Sequence, residues 1–176
     1  MYSRSAALYD TVYLNAGKDY AAEARRIRSL VKKYCRSGGN ALLDVACGTG
    51  LHAGHLQEFF HVEGLDNAPD ILARAREKHP GIPFHEGDMR TFDLGRRFDV
   101  ITCLFSAIGY MKDGDELAAA AGRMAAHLEE GGVMLVEPWF SPEAWFSGSL
   151  HASFGDQADL KIARMNISES RGNVSF

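Results

Sequence analysis

The chain has 176 residues, 46% of them hydrophobic and 24% charged, with 19 Lys and Arg against 23 Asp and Glu for a net charge of -4. That length supports one domain around a single core, and the charge gives no overall attraction to nucleic acid or to anionic membranes. No apolar run approaches the roughly 20 residues of a membrane span, the N-terminus lacks a signal-peptide pattern, and Cys35, Cys47 and Cys103 are unpaired in number and spacing, so reduced thiols in the cytoplasm are expected.

Met1 to Gly17 is irregular and rich in tyrosine (Tyr2, Tyr9, Tyr13). It reads either as an arm pinned by its rings or as a flap that a ligand orders. A helix follows from about Asp19 to Cys35, with Tyr20, Ala24, Ile27, Val31 and Tyr34 on the apolar face. The next stretch, Ala41 to Gly50 (ALLDVACGTG), organises the rest. A short apolar strand breaks at two glycines into a helix with Leu51, His55 and Phe59 or Phe60 at helical spacing. Gly48 and Gly50 can take positive φ and let the backbone lie against a ligand at the strand's carboxyl end. Asp44, inside that strand, serves either the loop amides or a ligand, and the amides are the favoured partner. Asp66 ends a second apolar run from His61, roughly 20 residues after Asp44, where a ribose diol finds its acceptor.

Asn67 is placed to cap a third helix running from Pro69 to His79. Ile82 to His85 makes a third strand and Phe98 to Phe105 a fourth, joined by a crossover too short for a helix. Asp113 and Glu116 form a capping box opening a helix to about Glu130, where Gly131 and Gly132 end it. VMLVEPW gives the fifth strand, PEAWF a short helix, and Leu150 to Phe176 a strand-turn-strand with Arg171-Gly172-Asn173 as the turn. The order β-α-β-α-β-β-α-β implies an α/β fold: a Rossmann-like, doubly wound, mostly parallel sheet with helices on both faces. His52 and His55 lie three apart on one helix with no carboxylate motif to complete a metal site, so packing or surface roles and no metal are expected.

Taken together, LLDVACGTG, GLD, GDMR, FDVITCLFSAIGY and GGVMLVEPW resemble the class I S-adenosylmethionine-dependent methyltransferases. YSRSAALYD, GKDYAAEA, DMRTFDLGRRFD, LFSAIGYM and VEPWFSPE are similar to the N,N-dimethyltransferases of dTDP-linked amino-deoxysugars, the desosamine and mycaminose group of antibiotic biosynthesis. The resemblance implies S-adenosylmethionine as cofactor, S-adenosylhomocysteine as product, and a small-molecule acceptor, in practice a sugar nucleotide. It implies no nucleic acid or membrane partner, and it is compatible with a homodimer.

By the same resemblance, Ala46, Cys47, Gly48 and Gly50 pass the cofactor's methionine part, and Asp66 with Asn67 takes the ribose. Asp88 and Met89 flank adenine, while Lys18 and Tyr20 hold the carboxylate or close over the site. Leu104 and Phe105 run beneath the sulfonium. Tyr2 and Tyr110 stand near the acceptor amine as the candidate catalytic residues, and Ser106, Glu137 and Trp139 line the acceptor cleft. Met89 as core filler and Tyr110 and Trp139 as packing aromatics are the structural alternatives. The division expected is a cofactor-binding core over 1–140, with 1–18 as its flap, and an incomplete acceptor-binding hairpin region over 141–176. The family's chains are longer, so the fold is expected to be C-terminally truncated, with its fifth strand an open edge. A nicotinamide-dependent oxidoreductase, a truncated cofactor-binding fragment with little activity, and a methyltransferase acting on another small-molecule acceptor are the rival readings.

Overall fold

The computed structural model describes residues 18–157, 160–171 and 174–175. Tyr2, the rest of the arm to Gly17, and the tip of the 171–173 turn lie outside them. Helix α1 (Tyr20–Tyr34) starts on Asp19, whose side chain accepts the Ala22 amide at 2.8 Å, and ends in Lys32 and Lys33 where the helix dipole favours cations. It buries Tyr20, Ala24, Ile27 and Val31. Tyr34, expected on that face, is instead exposed beside Lys33, because the helix stops there and Cys35 takes the inward position.

Strand β1 (Ala41–Val45) lies at the centre of a five-stranded sheet of order β3-β2-β1-β4-β5, with β2 (His61–Asp66), β3 (Phe84–Glu86), β4 (Phe98–Cys103) and β5 (Leu128–Val136). All its pairings are parallel. Alternate side chains serve two cores. Leu42 and Val100 face one, with Ile27, Leu56 and Leu72 from α1, α2 (Leu51–Leu56) and α3 (Pro69–Lys78). Leu43 and Ile101 face the other, with Ala120 and Met124 from α4 (Gly114–Ala126). Burial on both faces is why these strands read as continuous apolar runs.

Several boundaries move for local reasons. Helix α2 buries His52, Ala53 and Leu56 rather than a Leu51–His55 face, since Gly50 at φ 79° and ψ 17° sets its starting direction. The residue capping α3 is Ala68, not Asn67, and its amide is held at 3.0 Å by Asp66 Oδ1. Strand β3 begins at Phe84 rather than Ile82, although the Pro83 carbonyl already accepts the Gly64 amide at 2.9 Å. Strand β4 stops at Cys103, because Phe105 and Ser106 adopt φ 54° and 57°. Asp113 caps α4 by accepting the Glu116 amide at 2.9 Å, but the Glu116 side chain goes to Arg90 and to the Lys112 amide. The helix ends at Ala126, not near Glu130, and His127 closes it. Gly131 and Gly132 fall inside β5, where its register against β4 shifts.

No helix occupies 87–97 between β3 and β4. Beyond β5, Pro142–Ala144 is one 3-10 turn, and among the described residues β6 (Leu150–Gln157) and β7 (Leu160–Ile167) pair with each other, antiparallel. Two-residue strands β8 (Ser170–Arg171) and β9 (Val174–Ser175) do the same.

Candidate functional site

The chain leaves β1 through a loop held in left-handed conformation at Ala46, Gly48 and Gly50, with φ of 57°, 58° and 79°. Only Ala46 pays the Cβ penalty for it. The Cys47 amide is tied to the Leu65 carbonyl at 3.0 Å, so β2 fixes the loop. A cleft opens over it. Ala46, Cys47, Gly48, Thr49 and Leu51 line it from the loop side, and Tyr20, Asp44, His52, Leu104 and Phe105 from the flanking elements. Gly50 is not in that lining. Its bare face meets His79 and Phe84, so its lack of a side chain serves the packing of α2 against α3 and β3.

Asp66, at the end of β2, accepts the Gly48 amide on Oδ2 at 2.9 Å and the Ala68 amide on Oδ1 at 3.0 Å. Burial raises its pKa, and the amides of Gly48, Ala68 and Asn67 oppose that shift. It is therefore Asp66, not Asp44, that serves the glycine loop's backbone. Asp44 is 2% exposed and takes the Thr102 hydroxyl at 2.8 Å, across the β1–β4 register that sets the two residues side by side. Burial pushes the Asp44 carboxyl up to about 6, against the pull of His52 and the Thr102 bond, and Asp66 adds to the rise. Burial, with Asp44 next, also lifts the thiols of Cys47 and Cys103, the latter to about 12, so both stay protonated and unreactive at neutral pH.

At the end of β3, Asp88 is gripped by Arg90, whose Nε lies 2.9 and 3.1 Å from the two carboxylate oxygens. These bonds, foremost among the causes, hold the Asp88 carboxyl below its usual range. Arg90 also reaches Glu116 of α4 at 2.5 Å, tying that strand end to the helix. Met89 is half-buried and packs against the second core, and Asn67 is exposed. Lys18 pairs with Glu23 and lies over the Phe105 ring at 4.3 Å.

The remaining residues gather at the ends of β4 and β5. Glu137 Oε2 accepts the Phe105 amide at 2.6 Å, and the Ser106 hydroxyl donates to the Pro138 carbonyl at 2.9 Å. Together these two bonds fix the strained turn. Trp139 packs over Gly109 and against Phe140 and Trp145, each with ring centroids at 5.5 Å. Tyr110 ends the 3-10 turn Ala107–Tyr110 and is exposed. Thr102, His52, Glu23 and Arg90 were not singled out from sequence as site residues. A threonine inside the buried strand β4 was the one available signal.

The donor set fits an adenosine ligand bearing an amino acid. Carboxylates stand at three adjacent strand ends, β1, β2 and β3, and an ionised carboxylate carries about four lone-pair sites, so Asp66 keeps capacity after its two amides. The model of a methyltransferase domain matches residues 42–132, the span from β1 to β5. The chain belongs to the S-adenosylmethionine-dependent methyltransferases. It is 44% identical over 171 residues to the dTDP-3-amino-3,4,6-trideoxy-alpha-D-glucopyranose N,N-dimethyltransferase of Streptomyces venezuelae, which covers 97% of this chain and 72% of that protein. The structure of Streptomyces venezuelae DesVI matches with a TM-score of 0.90 and 43% identity, over 95% of this chain and 71% of that one. S-adenosylmethionine-bound CalS10, an amino pentose methyltransferase from Micromonospora echinaspora involved in calicheamicin biosynthesis, matches with a TM-score of 0.88 and 40% identity, over 96% and 71%. Membership of this methyltransferase family makes S-adenosylmethionine the cofactor and the five-stranded sheet its Rossmann-like platform.

Proposed function

We propose that the chain methylates the amine of a dTDP-linked amino-deoxysugar, as the name of its Streptomyces venezuelae relative states for that protein. The observation that carries the cofactor side is the row of carboxylates at the ends of β1, β2 and β3, beside a loop with positive φ at Ala46, Gly48 and Gly50. When bound, S-adenosylmethionine would supply an electrophilic methyl carbon for an amine nitrogen to attack in line, with S-adenosylhomocysteine leaving as the neutral thioether. Asp44 and the loop at Ala46, Cys47 and Gly48 hold the methionine part, Asp66 and Asn67 the ribose, and Asp88 and Met89 the adenine. Lys18, Tyr20, Leu104 and Phe105 shape the mouth, with aromatic faces that favour a cation. Alignment is the protein's main contribution, and well-oriented model reactions gain up to about 7–11 kcal/mol from it.

On the acceptor side, Ser106 and Glu137 brace the turn, and Trp139 with its aromatic neighbours offers a surface to the sugar nucleotide. Tyr110 is the described candidate beside the amine, and Tyr2, the other candidate, lies outside the described residues. Tyr110 faces solvent and can pass the amine's proton to water. On this reading residues 1–140 hold the cofactor and also carry Ser106, Tyr110, Glu137 and Trp139 of the acceptor side, to which 141–176 add Trp145 beside Trp139. No helix among the described residues is long and apolar enough to cross a membrane, and the reading places the enzyme in the cytoplasm with a small-molecule partner, not nucleic acid. The test is turnover: S-adenosylhomocysteine should form from S-adenosylmethionine with a dTDP-3-amino-deoxysugar and not with its 3-hydroxy counterpart. Turnover on unrelated amines alone would overturn the acceptor class and leave the cofactor assignment standing.

A further inference from the structure

Glu23, in the first turn of α1, plays no part in the cofactor contacts above, yet it joins three elements around the cleft. Its Oε1 takes Lys18 Nζ at 2.8 Å and its Oε2 takes His52 Nε2 at 2.6 Å. Lys18 stands just before α1, and His52 opens α2 directly after the glycine loop. The Lys18 side chain is only 13% exposed, and its ammonium lies 4.3 Å from the Phe105 ring and 5.5 Å from the Tyr20 ring. The His52 and Tyr20 rings meet edge to face at 4.7 Å. Burial alone would raise the Glu23 carboxyl, but the hydrogen bonds and charges of Lys18 and His52 outweigh it and hold it below its usual range. Glu23 is thus ionised at neutral pH, and charge-assisted bonds of this kind are about twice as strong as neutral ones.

Tyr20, His52 and Phe105 all wall the cleft, and Glu23 does not. We propose that Glu23 is a positioning residue that sets this wall for the amino-acid end of S-adenosylmethionine. The assignment rests on the proposed function. With adenine at the end of β3 and ribose at the end of β2, the strand order β3-β2-β1-β4 leaves only the amino-acid end to reach β1 and β4.

Glu23→Gln keeps the size and one acceptor oxygen but removes the charge that grips both partners. The probes are S-adenosylhomocysteine and 5′-methylthioadenosine, which share adenine, ribose and sulfur and differ in the amino-acid end. In calorimetric titration, Glu23→Gln should bind S-adenosylhomocysteine about tenfold more weakly, with a change of less than about twofold for 5′-methylthioadenosine. Glu23→Asp should recover part of the lost affinity. The ratio of the two affinities is independent of any loss of folded protein, because both ligands see the same folded population. Equal loss for both ligands, or none for S-adenosylhomocysteine, overturns the positioning role while leaving the cofactor site intact. A native chain that binds no S-adenosylhomocysteine overturns the site itself.

Discussion

Strands β4 and β5 run side by side in one sheet yet meet different surroundings. Every residue of β4 is buried, whereas β5 leaves Met134 and Val136 more than a third exposed, and the hairpin beyond it exposes Leu150, Phe154, Met165 and Ile167. The cofactor half of the molecule is therefore fixed from within. Its carboxylates are bonded to backbone amides, to a threonine or to an arginine, and its strands are covered on both faces. The half proposed to meet the acceptor carries aromatic side chains at the surface, around Trp139. On the proposed division, the groups that align the methyl carbon are held where the packing is dense.

The contrast can be broken first at its strongest point. Phe98, the largest fully buried side chain of β4, should cost about 3–5 kcal/mol when cut to alanine, read from urea denaturation. A loss below about 1 kcal/mol would mean the sheet centre is not the anchor. Asp44→Asn comes next. The folded pKa of Asp44 is raised to about 6 from an ordinary 3.8, so the folded state holds this proton more tightly than the unfolded chain does. Its contribution to stability is full below about pH 4, falls as pH rises through about 6, and is flat above. Asp44→Asn, which keeps an oxygen for Thr102, should remove that slope and stabilise the ligand-free chain at pH 7 by up to about 3 kcal/mol, while weakening S-adenosylhomocysteine. Unchanged stability across pH 4 to 7 would contradict the buried charge.

Asp66→Ala sharpens the same side. It leaves the Gly48 and Ala68 amides without their acceptor and should weaken S-adenosylhomocysteine by about 1–3 kcal/mol in a titration. Unchanged affinity would remove Asp66 from the site. The smallest effect belongs to the other half: Phe154→Ala on β6 should change stability by less than about 0.5 kcal/mol.

Much of this was legible in the residues. The glycine break after the first strand, acids ending consecutive strands and a crossover too short for a helix marked the parallel sheet in the residues themselves. The partners of the acids were not legible. Thr102 meets Asp44 only once the β1–β4 register is set, and Asp66 reaches Gly48 only once the loop has folded back onto β2. The left-handed turn at Phe105 and Ser106 was hidden for a similar reason. No local signal marks a phenylalanine for positive φ, and the pull comes from Glu137, far along the chain on the neighbouring strand's exit. The end of α4 was misplaced because two glycines that look like a stop serve instead as the register shift of β5.

The central claim is that three strand ends form one cofactor site. A crystal structure of the chain with S-adenosylhomocysteine tests it most directly. The account predicts the adenine beside Asp88, the ribose hydroxyls on Asp66 and the amino-acid end in the cleft between Asp44, Tyr20 and Phe105. A ligand found across the hairpin, or one that touches none of the three carboxylates, would contradict it.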